Sequence, residues 1–333
     1  MPVRIGVIGV GLMGAEHARL LSHVVSGSEV AAVFDVDPRR AEAVAADCGA
    51  RAWDDPMVLI KDDVVDAVLL ASPDQSHEQF VLACLAAGKP VLCEKPLTPD
   101  GAGSVRILQA ESDLGRRLVS VGFMRRYDPG YVEMKNALQD GGLGRALLMH
   151  CIHRNAVGVG VASTMLISGS AVHEIDIARW LLEEELVSVT VHCPRPSAKS
   201  GGTHDPMLLV FFSASGVLVD VEVFLNAGYG YDVRCELVAE SGTVLLDSPP
   251  PTVRRVSGQS ARAVPGGWRL RFAEAYRREL QDWVNGVAAG HPAHGASAWD
   301  GYVATEVAEA GIRALDTGRQ QDVALREQPA LYR

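Results

Sequence analysis

Over the first 120 residues, short and wholly apolar runs alternate with stretches whose apolar positions recur at helical spacing. Residues 3–8 form a β-prone run, and 12–25 then reads as a helix. A second strand is predicted over 29–34, followed by an alanine-rich helix that Pro38 opens and that ends near Asp47. Residues 64–71 form a third buried run. The 75–87 segment is helical, with Val81, Leu82 and Leu85 at core spacing and Gly88 as its stop. Strand 90–93, helix 100–113 and strand 118–121 complete the series. Strands without a polar face, alternating with helices, predict a parallel sheet covered on both sides.

After Gly122 the pattern changes. Helices are predicted over 130–138, leading into the segment 145–153, and over roughly 171–182. Five strand-like segments then follow in succession, at 187–192, 207–213, 217–224, 232–239 and 243–246. Connections as short as Ala214-Ser215-Gly216 and Glu240-Ser241-Gly242 suit antiparallel hairpins. Helices around 270–288 and 299–317 close the chain, and the Pro-, Ser- and Gly-rich stretches 194–203 and 248–267 read as surface loops. The expected fold class is α/β: an N-terminal doubly wound parallel sheet over residues 1–122, then an α+β domain over 123–333 with an open, mainly antiparallel sheet. Two domains also suit a chain of 333 residues, at roughly 150 residues per domain.

Between the first strand and the first helix the chain reads Gly9-Val10-Gly11-Leu12-Met13-Gly14. A G-x-G-x-x-G in this strand–turn–helix setting is the fingerprint of dinucleotide binding. The first glycine permits the tight turn, the second admits the pyrophosphate to the backbone, and the third lets helix and strand pack closely. Amides at the helix start then face the phosphates. Asp35 ends the next strand, 21 residues after Gly14, where a carboxylate can accept hydrogen bonds from ribose hydroxyls. It would repel a 2′-phosphate, so NAD is favoured over NADP, although Arg39 and Arg40 stand nearby.

Two further groups carry candidate chemistry. Glu94-Lys95-Pro96 follows a predicted strand, and the carboxyl ends of strands are where ligands collect in doubly wound sheets. His173-Glu174-Ile175-Asp176 opens a helix, with His173 and Asp176 one turn apart and able to share a face.

Composition narrows the function class. A hydrophobic fraction of 48% and a charged fraction of 22% belong to an ordinary globular chain. With 31 basic and 41 acidic side chains, the formal charge of −10 offers no broad basic surface, so nucleic acid is not an expected partner. Six cysteines, at 48, 84, 93, 151, 193 and 235, form no Cys-x-x-Cys pair, so neither a metal site nor a disulfide framework is expected. The apolar start at 3–13 lacks the basic flank and cleavage site of a signal peptide, and no run reaches 18 apolar residues. A cytoplasmic chain with no membrane contact is the expectation.

The glycine turn, Asp35, Glu94-Lys95-Pro96 and His173–Asp176 together resemble the Gfo/Idh/MocA oxidoreductase family. GFMRRYDPGY at Gly122–Tyr131, HRN at His153–Asn155, YGYD at Tyr229–Asp232 and WDGY at Trp299–Tyr302 extend the resemblance nearly end to end, toward its inositol dehydrogenase branch. The resemblance implies a Rossmann domain, an α+β domain whose open sheet mediates oligomerisation, and a homotetramer. It implies that Lys95 orients the reacting hydroxyl and that His173 is the acid/base. Arg125, His153, Asn155 and Tyr231 then lie near a polyol. Leu12, Met13, Ser72, Pro73, His77, Glu94 and Lys95 join Gly9, Gly11, Gly14 and Asp35 around the cofactor. The types suit the chemistry: an ammonium stabilises a developing alkoxide, and an imidazole accepts a proton near neutral pH.

One position departs from that branch. Its members carry an aspartate four residues before the histidine, and here that residue is Gly169, between Ser168 and Ser170. Three readings stand: a serine or water replaces the carboxylate, the substrate differs from free inositol, or the enzyme is slow or inactive. The expected function is NAD-dependent oxidation of a secondary alcohol on a cyclitol or pyranose sugar. The alternatives are a non-catalytic NAD(H)-binding sensor and an NADP-linked keto-sugar reductase.

Overall fold

The computed structural model describes residues 1–158, 160–247 and 252–333. They divide into two units. The first holds Met1–Tyr127, Glu274–Thr305 and Arg326–Arg333, and the second holds Asp128–Ala273 and Glu306–Leu325.

In the first unit, β1 (Val3–Ile8), β2 (Ser28–Phe34), β3 (Arg51–Ala52), β4 (Ala67–Leu70), β5 (Val91–Cys93) and β6 (Val119–Val121) are parallel, in the order β6-β5-β4-β1-β2-β3. The expected doubly wound sheet is therefore observed. Its strands lack a polar face because helices cover both sides; Ile5, Val7, Val68 and Leu69 are fully buried. The strand order reverses between β1 and β4, which opens a crevice at the carboxyl ends of those strands. Register aligns that edge. Ile8 pairs with Phe34 and Leu70, Leu70 with Cys93, and Cys93 with Val121. Gly9, Asp35, Ala71, Glu94 and Gly122 therefore leave the sheet side by side.

Local signals start and stop the covering helices. Asp37 caps the Pro38–Cys48 helix by accepting the Arg39 amide at 3.1 Å, and left-handed Gly49 ends it. Asp100 caps the Gly101–Leu114 helix through the Gly103 amide at 2.7 Å. Two pieces escape the periodicity. β3 has only two residues, and the six-residue Pro56–Lys61 helix is too short for a clear stripe. A seventh strand, Ala296–Ser297, lies antiparallel on the outer side of β6. Its two residues carry no pattern.

The sheet of the second unit contains β7 (Ala146–Arg154), β8 (Leu186–His192), β9 (Met207–Ser213), β10 (Leu218–Phe224), β11 (Asp232–Ala239) and β12 (Gly242–Leu246). Their order is β12-β11-β7-β10-β9-β8, with Gln321–Asp322 beyond β8. All neighbours are antiparallel except β7 and β10. Burial alternates along β7, β9 and β10, as in a sheet with one face on a core. The Val172–Leu182 helix is buried over nearly its whole length. Within the predicted 248–267 loop, 248–251 lie outside the described residues. Arg254–Val256 and Gln259–Ala261 form an exposed hairpin. Its turn residues Ser257 and Gly258 both have positive φ, 51° and 75°, the geometry that a two-residue hairpin turn requires.

Candidate active site

The glycine turn joins β1 to α1 (Leu12–His23), and each of its glycines has a distinct reason. Gly9 has φ +83°, and a Cβ there would lie 2.5 Å from the backbone nitrogen of Ser72. A Cβ on Gly14 would lie 1.8 Å from the Gly9 carbonyl oxygen, so helix and strand touch at that point. Gly11 is different. Its chain neighbours aside, no atom of the described residues lies within 4 Å of where its Cβ would be, and no side chain among them caps the helix behind it. Open space in front of unspent helix amides is what a pyrophosphate needs. Leu12 is 61% exposed at the rim, with Met13 half-buried behind it.

Asp35 is only 7% exposed, and its carboxylate is held on three sides. Oδ2 accepts the Val10 amide at 2.8 Å and Oδ1 the Asp37 amide at 2.9 Å, while Arg40 donates to both oxygens at 3.2 and 3.4 Å. One residue therefore fixes the glycine turn from the tip of β2 and keeps a negative charge there. Such a charge accepts from ribose hydroxyls and repels a phosphate in their place.

Ser72 and Pro73 follow β4 at the same edge. His77 is buried, with Nδ1 2.8 Å from the Pro96 carbonyl oxygen and Nε2 2.9 Å from that of Ser72. Both ring nitrogens are therefore occupied by the loops they join. Glu94 and Lys95 follow β5, and the Lys95–Pro96 peptide is cis. Glu94 Oε1 lies 2.7 Å from Nε2 of buried His17, and Oε2 accepts the Lys95 amide at 3.2 Å. Burial pushes the Glu94 carboxyl up, but the His17 hydrogen bond, the attraction of His17 and Lys95, and the Lys95 amide outweigh it and hold the group below the usual range. Burial pushes the Lys95 ammonium down. Glu94 and Asp74 oppose that fall, and Arg125 adds to it. Arg125, in the 3₁₀ turn Met124–Tyr127 after β6, is 1% exposed.

In the second unit, β7 ends in His153 and Arg154, and Asn155 follows it. His153 Nδ1 lies 3.1 Å from Oε2 of fully buried Glu174. Its ring meets Tyr231 edge-on at 5.8 Å between centroids, and the His173 ring lies 6.4 Å away. His153, His173 and Tyr231 are 4%, 8% and 4% exposed, so the three form one buried polar cluster. Asn155 joins its main chain to Phe224 and Ala227 (2.9 and 3.0 Å), while its buried Oδ1 has no hydrogen-bond partner among the described residues. A π-helical turn, Leu166–Ala171, leads into the histidine helix and contains Gly169. A Cβ on Gly169 would lie 3.0 Å from the flexible tip of Met165.

Residues 3–123 match the model of an oxidoreductase family with an NAD-binding Rossmann fold, and residues 131–245 match the GFO/IDH/MocA C-terminal domain. Inositol 2-dehydrogenase 1 of Saccharopolyspora erythraea is 53% identical over 336 residues, covering 100% of this chain and 99% of that one. The chain belongs to the Gfo/Idh/MocA family of oxidoreductases. Another family member, inositol 2-dehydrogenase of Streptomyces avermitilis, is 49% identical, with 98% and 96% of the two chains covered. Among solved structures, myo-inositol dehydrogenase from Lactobacillus casei, in complex with NAD(H) and myo-inositol, superimposes with a TM-score of 0.97 at 35% identity, over 100% of both chains.

Sequence reasoning missed three parts of this family member's chemistry-bearing surroundings. His17 stands three residues after Gly14, a spacing that puts it on the buried face of α1. Glu174 was visible only as the residue beside His173. The π-helical turn left no signal, because one extra residue in a turn does not disturb an apolar run.

Proposed function

We propose that this chain is an NAD-dependent dehydrogenase that oxidises one secondary hydroxyl of a cyclitol or pyranose-like sugar to the ketone. The open space at Gly11, set between two glycines that the protein itself fills, is the observation that carries the reading. The turn, the α1 amides and Asp35 hold the dinucleotide. When bound, NAD supplies the acceptor for the hydride that leaves the carbinol carbon. Lys95 stabilises the oxygen as its proton departs, and His173 accepts that proton. Arg125, His153, Asn155 and Tyr231 bind the remaining hydroxyls, for which the unused Asn155 Oδ1 is an available acceptor. Asp35 favours NAD over NADP.

Purified protein given NAD and a panel of inositols and aldopyranoses should generate NADH absorbance with at least one of them. Silence across the panel, with NAD binding intact, rejects the proposal.

Gly169 favours a second reading, an NAD(H) sensor that has lost turnover. A Cβ at this position meets the flexible end of the Met165 side chain at 3.0 Å, and Gly169→Asp is the variant that separates the readings. In a decayed or retuned site it raises inositol oxidation by about 10²–10⁴. A fall instead means that the glycine admits a substrate other than free inositol. The partly exposed second face of the β7–β12 sheet, with Phe212 41% and Leu245 56% exposed, supports self-association, a tetramer by family resemblance. Among the described residues no helix is long and apolar enough to cross a membrane. All six cysteines are free, which suits the reducing cytoplasm where NAD is abundant.

A further inference from the structure

The Glu94 carboxylate is pinned at both oxygens, and what pins it reaches back to the nucleotide turn. His17 lies on α1, is 1% exposed, and presents Nε2 to Glu94 Oε1 at 2.7 Å. A carboxylate only accepts, so Nε2 carries the hydrogen and donates it. The Tyr276 ring stands edge-on to the imidazole at 5.6 Å between centroids. The second oxygen, Oε2, accepts the Lys95 amide at 3.2 Å. The third side is walled by Gly122, where a Cβ would come within 3.2 Å of the carboxylate. With its plane fixed in this way, Glu94 constrains the peptide on which Lys95 is mounted and sets a negative charge beside the ammonium.

We propose that His17 is a positioning residue for Lys95, acting through Glu94, so that one buried imidazole ties the helix of the glycine turn to the amine that faces the reacting hydroxyl. The proposal rests on the role given to Lys95 above, but its geometry lies entirely within the first unit. It also gives a role to a histidine buried outside the glycine turn. The charged groups that bear on Lys95 from this unit are Glu94, Asp74 and Arg125. Of these, Glu94 is the one that His17 controls. Without the imidazole donor, burial raises the Glu94 carboxyl, its charge is lost more readily, and the ammonium beside it gives up its proton at lower pH.

The chain has five lysines, so isotope-labelled lysine gives a spectrum in which Lys95 can be assigned from its loss in Lys95→Arg. The titration is followed by NMR on the full chain without substrate. His17→Leu is expected to move the Lys95 titration down by about one pH unit. His17→Gln, which keeps a nitrogen donor at the Nε2 position, restores most of the shift. Glu94→Gln moves the titration in the same direction as His17→Leu, and the double variant moves it no further. An unchanged Lys95 titration in folded His17→Leu overturns the proposal. If His17→Leu does not fold, an unchanged titration in Glu94→Gln overturns it equally. Because no polyol is present, a panel without turnover leaves this test intact, and a Lys95 that ignores His17 leaves the dehydrogenase reading intact.

Discussion

Lys95 shows how one position is tuned by what surrounds it. Burial lowers its proton affinity, and the neighbouring carboxylates of Glu94 and Asp74 restore part of it. The ammonium is the form that stabilises an alkoxide, and it is lost as pH rises through the lowered pKa. Activity should therefore decline on the alkaline side at a lower pH than an ordinary lysine would give. In Lys95→Arg that limb of the kcat/KM profile moves to higher pH, because a guanidinium keeps its proton. Lys95→Ala should lose about 10²–10⁴ in kcat while NAD affinity, followed by fluorescence quenching, stays close to that of the parent. Wild-type turnover in Lys95→Ala removes the residue from the mechanism. The residue scale was only partly legible in sequence. Lys95 and His173 stand in motifs whose residue types suggest the roles proposed for them. His17, Glu174 and Tyr276 do not, because a buried partner is chosen by the fold and not by its neighbours along the chain.

At the scale of elements, the glycine turn separates folding from binding. Gly14 faces the Gly9 carbonyl at a distance that no Cβ can share, so Gly14→Ala must push α1 away from β1. Thermal melting should show a fall of several degrees, equivalent to about 1–3 kcal/mol, and NAD affinity should fall with it. Gly11→Ala adds a methyl group where, among the described residues, only its chain neighbours stand near. Its melting temperature should match the parent's while NAD affinity falls by about tenfold or more. Equal melting losses in the two variants would contradict this division of labour. Periodicity identified most elements because a two-sided sheet demands unbroken apolar strands, and a half-covered one demands alternation. It failed where pattern has no length to act: the two residues of β3, the Ala296–Ser297 strand, and the Arg254–Ala261 hairpin, whose side chains are exposed and so under no packing constraint. It was equally silent on the parallel pairing of β7 with β10, since alternation reads the same in either direction.

For the molecule as a whole, chain order and structural order diverge. The first unit draws on Glu274–Thr305 as well as on its opening 127 residues. Gly301 sits so tightly against Leu97 that a Cβ would lie 2.8 Å from it, and the Ala296–Ser297 strand bonds to Val121 and Ser120. A fragment ending at Tyr127 would expose the outer edge of β6 and the apolar surface around Leu97 and Val121. Such a fragment should aggregate on expression, and adding residues 274–305 through a flexible linker should return it to solution. A monomeric, NAD-binding 1–127 fragment would show that the late segment is dispensable.

That dependence has a consequence in time. During synthesis, β1 to β6 emerge from the ribosome long before Ser297, the residue that closes their sheet. The cell must therefore shelter an unfinished nucleotide-binding sheet through the translation of everything in between. Chaperone supply and elongation speed across 128–273 should set the yield of active protein more than the stability of the finished fold does.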